Sequence, residues 1–391
     1  MPSRTVTFIS IATAFSLLGD QALYAVLPVL YENLGLAAIE VGILLSANRW
    51  IRLLSNELAH RATHRLNPSL LLISALILGA LTTASYVYTQ SFTILLTARM
   101  LWGLSWSFIR HIGVSTIMAS EPMEQAGRTM GWYNGISRAG SVAGLFGGAL
   151  LIDLLGFHTG ILILAGISLS AVALTPRNRI DRTHSQPAVR QRAPITLLIL
   201  GITLGAVGPG FVMSTLGAAV ANRMLDASLL ISATVMTGAL LGARYVMDSM
   251  AAPWLGGSFD RFGFGIATQI YLLIGGIALL TAAVMNGLLL FSAATIVFFV
   301  CSTALQAGVA ATASKLGSAA YARYVTASDL GSASGPLLGW FIVDRWQDPS
   351  ISIAVGGIMF LCATFIAYTP SQKNRRWSRL NTRSNRTKQS L

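Results

Sequence analysis

Two stretches, Gly140-Ser141-Val142-Ala143-Gly144-Leu145-Phe146-Gly147-Gly148-Ala149-Leu150-Leu151-Ile152-Asp153 and Gly331-Ser332-Ala333-Ser334-Gly335-Pro336-Leu337-Leu338-Gly339-Trp340-Phe341-Ile342-Val343-Asp344, repeat one pattern at an offset of 191 residues, 331 minus 140. In each, three glycines recur every fourth residue, and an aspartate follows five residues after the last of them. On a helix that spacing puts the glycines on one face, where a missing Cβ lets two backbones approach. The repeat therefore predicts a duplicated, helical unit.

The rest of the chain agrees. Only 10% of its 391 residues are charged and 54% are hydrophobic, against about 25% charged in ordinary soluble proteins, and mean hydropathy is +0.65. A soluble globule of this composition would lack polar surface to cover its core. Sustained apolar/polar alternation is absent, which removes a barrel and leaves helices as the spanning element. Segments long enough to cross ~30 Å of hydrocarbon recur at 6–30, 39–59, 69–89, 92–118, 126–153, 157–175, 195–221, 228–254, 265–286, 288–314, 318–343 and 350–369.

The expected fold is thus all-α, with twelve transmembrane helices in two pseudo-symmetric six-helix bundles. An N-terminal bundle covers 1–176, a polar linker 177–194, a C-terminal bundle 195–370 and a basic tail 371–391. The first apolar run is read as a retained span, since it continues past Asp20 to Leu30 with no small-residue cleavage site. Cys301 and Cys362 fall inside apolar runs and read as small hydrophobes rather than a disulfide or metal framework.

Basic residues set the expected orientation, because Lys and Arg in short loops favour the cytoplasmic side. With both termini inside, Arg4, Arg61, Arg65, Arg128, five linker arginines, Arg261, Lys315 and seven tail residues are cytoplasmic, whereas only Arg223 and Arg345 lie outside. That asymmetry explains the net charge of +13 without nucleic acid, for which no recognition motif is present. The basic tail can also touch anionic lipid heads.

Several signatures together resemble the major facilitator superfamily, and the resemblance runs from the first span to the twelfth. Gly256-Gly257-Ser258-Phe259-Asp260-Arg261-Phe262-Gly263 matches its GxxxDRxG loop; the first-half copy has Asn56, His60, Arg61 and Thr63, with His60 where the family carries Asp. Arg99 and Gly103 match its RxxxG in helix four, and Gly131, Gly140, Gly144 and Gly148 match the spacing of the helix-five exporter signature, with Leu145 in place of its proline. The resemblance implies a transporter. It implies proton transfer for Arg99, a latch formed by Gly256, Asp260 and Arg261 with Arg261 in an interdomain salt bridge, and gating at Gly144, Gly335 and Pro336. It also implies that the glycine packing lies between the two bundles, while the bland reading of such glycines is close packing of helices.

Charge at membrane depth costs about 2.5–3.5 kcal/mol per residue on insertion scales unless paired or hydrated, so it marks candidate sites. Arg49, Arg52, Arg99, Arg110, Arg138, Arg244 and Arg323 are basic; Asp20, Asp248 and Asp329 are acidic. Arg244 and Asp248, four apart, are expected to neutralise each other. Arg49 and Arg52 are expected to face a cavity or reach acids on helix one or eleven. Arg138 and Asp329 share the 191-residue offset, and are expected either to pair at the midplane as the centre of a substrate site with Arg110 or to form a structural ion pair.

Arg99, Trp102, Trp106 and Arg110 lie on one stripe of helix four. The two tryptophans read equally as pocket walls and as lipid-facing filler. Asp20 is the candidate coupling carboxylate, since partial desolvation raises a carboxyl pKa; its bland alternative is a salt bridge to Arg49 or Arg52.

The expected function is a monomeric, proton-coupled secondary transporter of the bacterial inner membrane, with both termini cytoplasmic. Its cargo is a small organic anion, because excess arginine suits bidentate recognition of carboxylate or phosphate. Export is favoured slightly over proton-coupled import. An intramembrane enzyme is the rival class, but GxGD and GxSG motifs are missing. No cofactor and no metal are expected, although His60 and His64 with Glu57 have metal-like spacing.

Overall fold

The computed structural model describes residues 3–120, 123–175, 193–224 and 231–366. Most of the expected linker and the whole basic tail lie outside the described residues. Helices α1 (Arg4–Leu30), α2 (Ala38–Arg65), α3 (Pro68–Tyr88) and α4 (Phe92–Ser120) are followed by α5, which runs through Met123–Val142, a π-helical Ala143–Gly148 and Ala149–Leu155. Helix α6 joins Phe157–Ser170 to a 3-10 turn, Ala171–Leu174. Helix α7 spans Ile195–Met224 with a π-helical Ala206–Val212, and α8 comprises Ala233–Met250 and, past Ala251, Ala252–Phe262. Helices α9 (Phe264–Val284), α10 (Leu288–Lys315), α11 (Ser318–Trp346) and α12 (Pro349–Ile366) complete two six-helix bundles, and no strand occurs among the described residues.

Local chemistry explains the boundaries. Ser3 and Ser232 accept from backbone amides three residues on, and Asn67 caps Ser69 ahead of Pro68. Gly156 (φ 82°) and Gly263 (φ 79°) reverse the chain in a region that L side chains rarely adopt. The repeat reaches even this level: Gln347, 191 residues after Gly156, is the single non-glycine with positive φ among the described residues (54°).

Nine of these helices are long and apolar enough to cross a membrane by length and composition. The other three, α2, α8 and α11, carry Arg49, Arg52, Arg244, Asp248, Arg323 and Asp329. Charge thus concentrates on helices at the boundary between the halves. Large apolar side chains such as Leu81, Leu154, Leu289 and Phe365 are exposed on the outside, as expected where the solvent is lipid.

The glycine seams pack within each half, which corrects the expectation that they lie between the bundles. A methyl group on Gly140 or Gly144 would come within 2.5 Å of Ala14 or 2.6 Å of Leu18, both on α1. Gly331 and Gly335 press in the same way on Ile202, Ala206 and Gly210 of α7. α5 on α1 and α11 on α7 are therefore the same close crossing made twice. Between the halves, α1 meets α7, α2 meets α11 and α5 meets α8.

These contacts close the end opposite the linker. Tyr31 meets Trp340 edge-on at 5.3 Å, Gly42 abuts Trp340 and the Pro336 carbonyl, and Gly217 abuts Pro28. Burial and the neighbouring Glu32 push the Tyr31 hydroxyl up to about 12, so it stays neutral and donates to Glu32. At the linker end, no ion pair joins the halves among the described residues.

Candidate functional site

Midway along the interface is a cavity of about 320 Å³ lined from both halves. α1 supplies Asp20 and Tyr24, α2 supplies Arg49 and Arg52, and α4 supplies Trp106 and Arg110. Arg138 of α5 and Tyr245 of α8 close the far side. Asp329 does not line the cavity itself and reaches it through Arg52.

Asp20 pairs with Arg99 at 2.5 Å, with the two side chains 2% and 1% exposed. Its partner is thus Arg99 of α4 rather than Arg49 or Arg52 of α2. Gln21 donates to the second carboxylate oxygen at 3.0 Å, and Arg99 Nε donates to the Leu44 carbonyl at 3.1 Å. Tyr24 and Trp102 place ring faces near the guanidinium. Gly103 lets this assembly form, because a side chain there would strike the Asn48 backbone of α2. The RxxxG spacing therefore combines a charge that reaches α1 with a close α4–α2 crossing.

The pairings expected of Arg138 and of Arg244 also differ from those in the structure. Arg138 pairs with Asp248 of α8 at 2.6 Å, not with Asp329. Asp329 instead lies 3.9 Å from Arg52, which thereby reaches an acid on α11, one of the two outcomes expected of it. Arg244 does not neutralise Asp248: its guanidinium contacts the Met213 sulfur, its Nε has no hydrogen-bond partner among the described residues, and the Asp248 carboxylate accepts from Thr303. A four-residue spacing gave Arg244 and Asp248 a shared face, but Arg138 approaches from across the interface and takes the carboxylate.

Arg49 has no ion pair among the described residues. It donates to the Pro209 carbonyl at 3.0 Å and the Ser332 carbonyl at 2.7 Å, and lies over the Tyr24 ring. Ser332 is four residues before Pro336, which has no N–H to donate back to it. Arg49 of the first half thus satisfies a carbonyl that proline orphans in the second.

Arg110 is exposed and has no ion pair among the described residues. Trp102 and Trp106 both line the cavity, stacked at 5.8 Å and 9°. Tyr24, Gln21, Asn48 and Tyr245 also line the cavity and were not singled out from the sequence. Tyr24 lies one turn beyond Asp20, a spacing that could have identified it.

At the linker end, Asp260 pairs with Lys315 at 3.2 Å inside its own half, and no ion pair to Arg261 occurs among the described residues. Both latch segments are helical: α2 continues to Arg65, and α8 resumes as Ala252–Phe262. His60 packs edge-on against His64 and His111 at 4.7 and 5.4 Å. No group of metal-holding geometry is found among the described residues.

Residues 9–316 match the family model described as Major Facilitator Superfamily. A bacterial homologue of the human lysosomal transporter Spinster, in an inward-facing and occupied conformation, superposes with a TM-score of 0.77 at 14% identity, over 94% of this chain and 96% of that one. The nucleoside transporter NupG gives 0.73 at 10% identity, over 93% and 98%. The human organic anion transporter MFSD10 gives 0.62 at 16% identity, over 94% and 100%. A search of curated proteins returns no match.

Proposed function

The chain belongs to the Major Facilitator Superfamily and is a multi-pass membrane transporter, and we propose that its cargo is a small organic anion, moved by proton-coupled alternating access. The observation that carries this reading is the charge of the central cavity. Asp20, Asp248 and Asp329 are each engaged by an arginine, Arg99, Arg138 and Arg52. Of the arginines that line the cavity, Arg49 and Arg110 have no ion pair among the described residues, which leaves the cavity cationic. Guanidinium groups in a half-dry site favour carboxylate or phosphate through charge-assisted, bidentate hydrogen bonds. The human neighbour MFSD10 is an organic anion transporter by description, which agrees with this reading.

Asp20 is the coupling group in the proposal. Its pair with Arg99 borders the cavity, so a proton reaching Asp20 would release Arg99 and link protonation to the state of the site. Export in exchange for protons is the favoured direction, on the glycine spacing of α5. We place the protein in a bacterial inner membrane with its termini and linker cytoplasmic, on the distribution of basic residues. Competition binding on purified protein tests the cargo class: organic anions displace one another and a matched organic cation does not. Displacement by the cation alone would refute it.

A further inference from the structure

The cavity contains a flat aromatic surface beside its least engaged charge. Trp102 is 5% exposed and stacks, offset, on Trp106, the rings being nearly parallel (9°) with centroids 5.8 Å apart. Trp106 is only half-buried. On one stripe of α4, Trp102 lies one turn before Trp106 and Arg110 one turn after it, and all three line the cavity. Arg110 is exposed to the cavity, without an ion pair among the described residues and without a ring beneath its guanidinium. Asn134 and Ser137 of α5 line the same cavity with uncharged polar groups.

A stacked pair of indoles fixes the orientation of the outer ring at little entropic cost, and a planar ring laid on it gains beyond the apolar area it buries. A carboxylate projecting from that ring's edge would reach a guanidinium that has no ion pair among the described residues. We propose that the open face of Trp106 and the Arg110 guanidinium form one subsite for planar aromatic carboxylates, the ring stacked on the indole and the carboxylate held by Arg110. The subsite rests on the organic-anion reading above and narrows it from any anion to ring-bearing ones.

Isothermal titration of the full chain in nanodiscs tests it with three probes: 2-naphthoate, its fully saturated decalin-2-carboxylate counterpart, and neutral 2-naphthylmethanol. Naphthoate should bind about three- to tenfold more tightly than the saturated acid, the range expected of an aromatic pair. Trp106→Ala should bring that ratio near one, and Trp106→Phe should keep part of it. Arg110→Gln should weaken both acids and leave the alcohol unaffected. Equal binding of the two acids by the unaltered protein overturns the aromatic subsite while leaving the anion reading intact. So does a ratio that survives Trp106→Ala. If the alcohol binds as well as naphthoate, the anion reading fails and the subsite fails with it.

Discussion

Asp20 and Arg99 form the most buried ion pair in the molecule among the described residues, and such pairs are costly to break one-sidedly, at about 3–5 kcal/mol. Arg99→Ala, which strands the Asp20 carboxylate, should therefore destabilise the protein by about that amount in a thermal unfolding assay, and neutralising Asp20 in the same chain should recover much of the loss. Unchanged stability of Arg99→Ala would contradict the pairing. Asp20→Asn mimics the protonated carboxyl, so it should abolish pH-driven transport and spare substrate exchange in liposomes. Loss of both, or of neither, would argue against a coupling role. Both residues were legible in the sequence because charge at membrane depth is conspicuous. Their partnership was not. Periodicity reports which residues share a helix face, so it favoured Arg244 with Asp248. It says nothing of what a neighbouring helix brings, and Arg138 is what α5 brings.

Among the helices, α2, α5 and α11 carry the most consequence. The glycine repeat was readable as close packing, and its 191-residue offset established the duplication, but its partner was misplaced. The close crossings fall on α1 and α7, within the halves. Gly140→Val should lower the melting temperature, as overpacking by about 1–3 kcal/mol does, because its side chain meets the Ala14 backbone. Gly131→Ala, with nothing within 4 Å of the added methyl, should leave stability unchanged or raise it slightly. Equal effects would show that the seam does not bear on packing. The clamp from Arg49 to the Pro209 and Ser332 carbonyls ties α2 to α7 and α11. It spans the two halves and forms only where they touch. Arg49→Ala should therefore shift the population toward conformers open at the end opposite the linker. Spin labels at Glu32 and Arg345, both exposed at that end, should report a longer distance distribution, and an unchanged one would remove Arg49 from gating.

For the whole molecule, two duplicated bundles meet around a cationic cavity, sealed at one end by Tyr31, Gly42 and Trp340 and free of cross-half ion pairs at the other among the described residues. Alternating access requires that these contacts exchange for others at the linker end, where Asp260 is held by Lys315 and Arg261 is available. The architecture was legible because lipid admits few solutions for such a composition. The cavity was legible only in part, since its tyrosines and amides carry no charge to mark them. In the proposed transport cycle an anionic cargo, a proton and Asp20 act together. One measurement reads all three: internal pH of proteoliposomes, followed by an entrapped dye, on addition of naphthalene-2-sulfonate or a matched quaternary ammonium ion. A pH change elicited by the sulfonate, absent with the cation and abolished by Asp20→Asn, is the predicted result. A response to the cation alone, or one that persists unchanged in Asp20→Asn, would contradict the account.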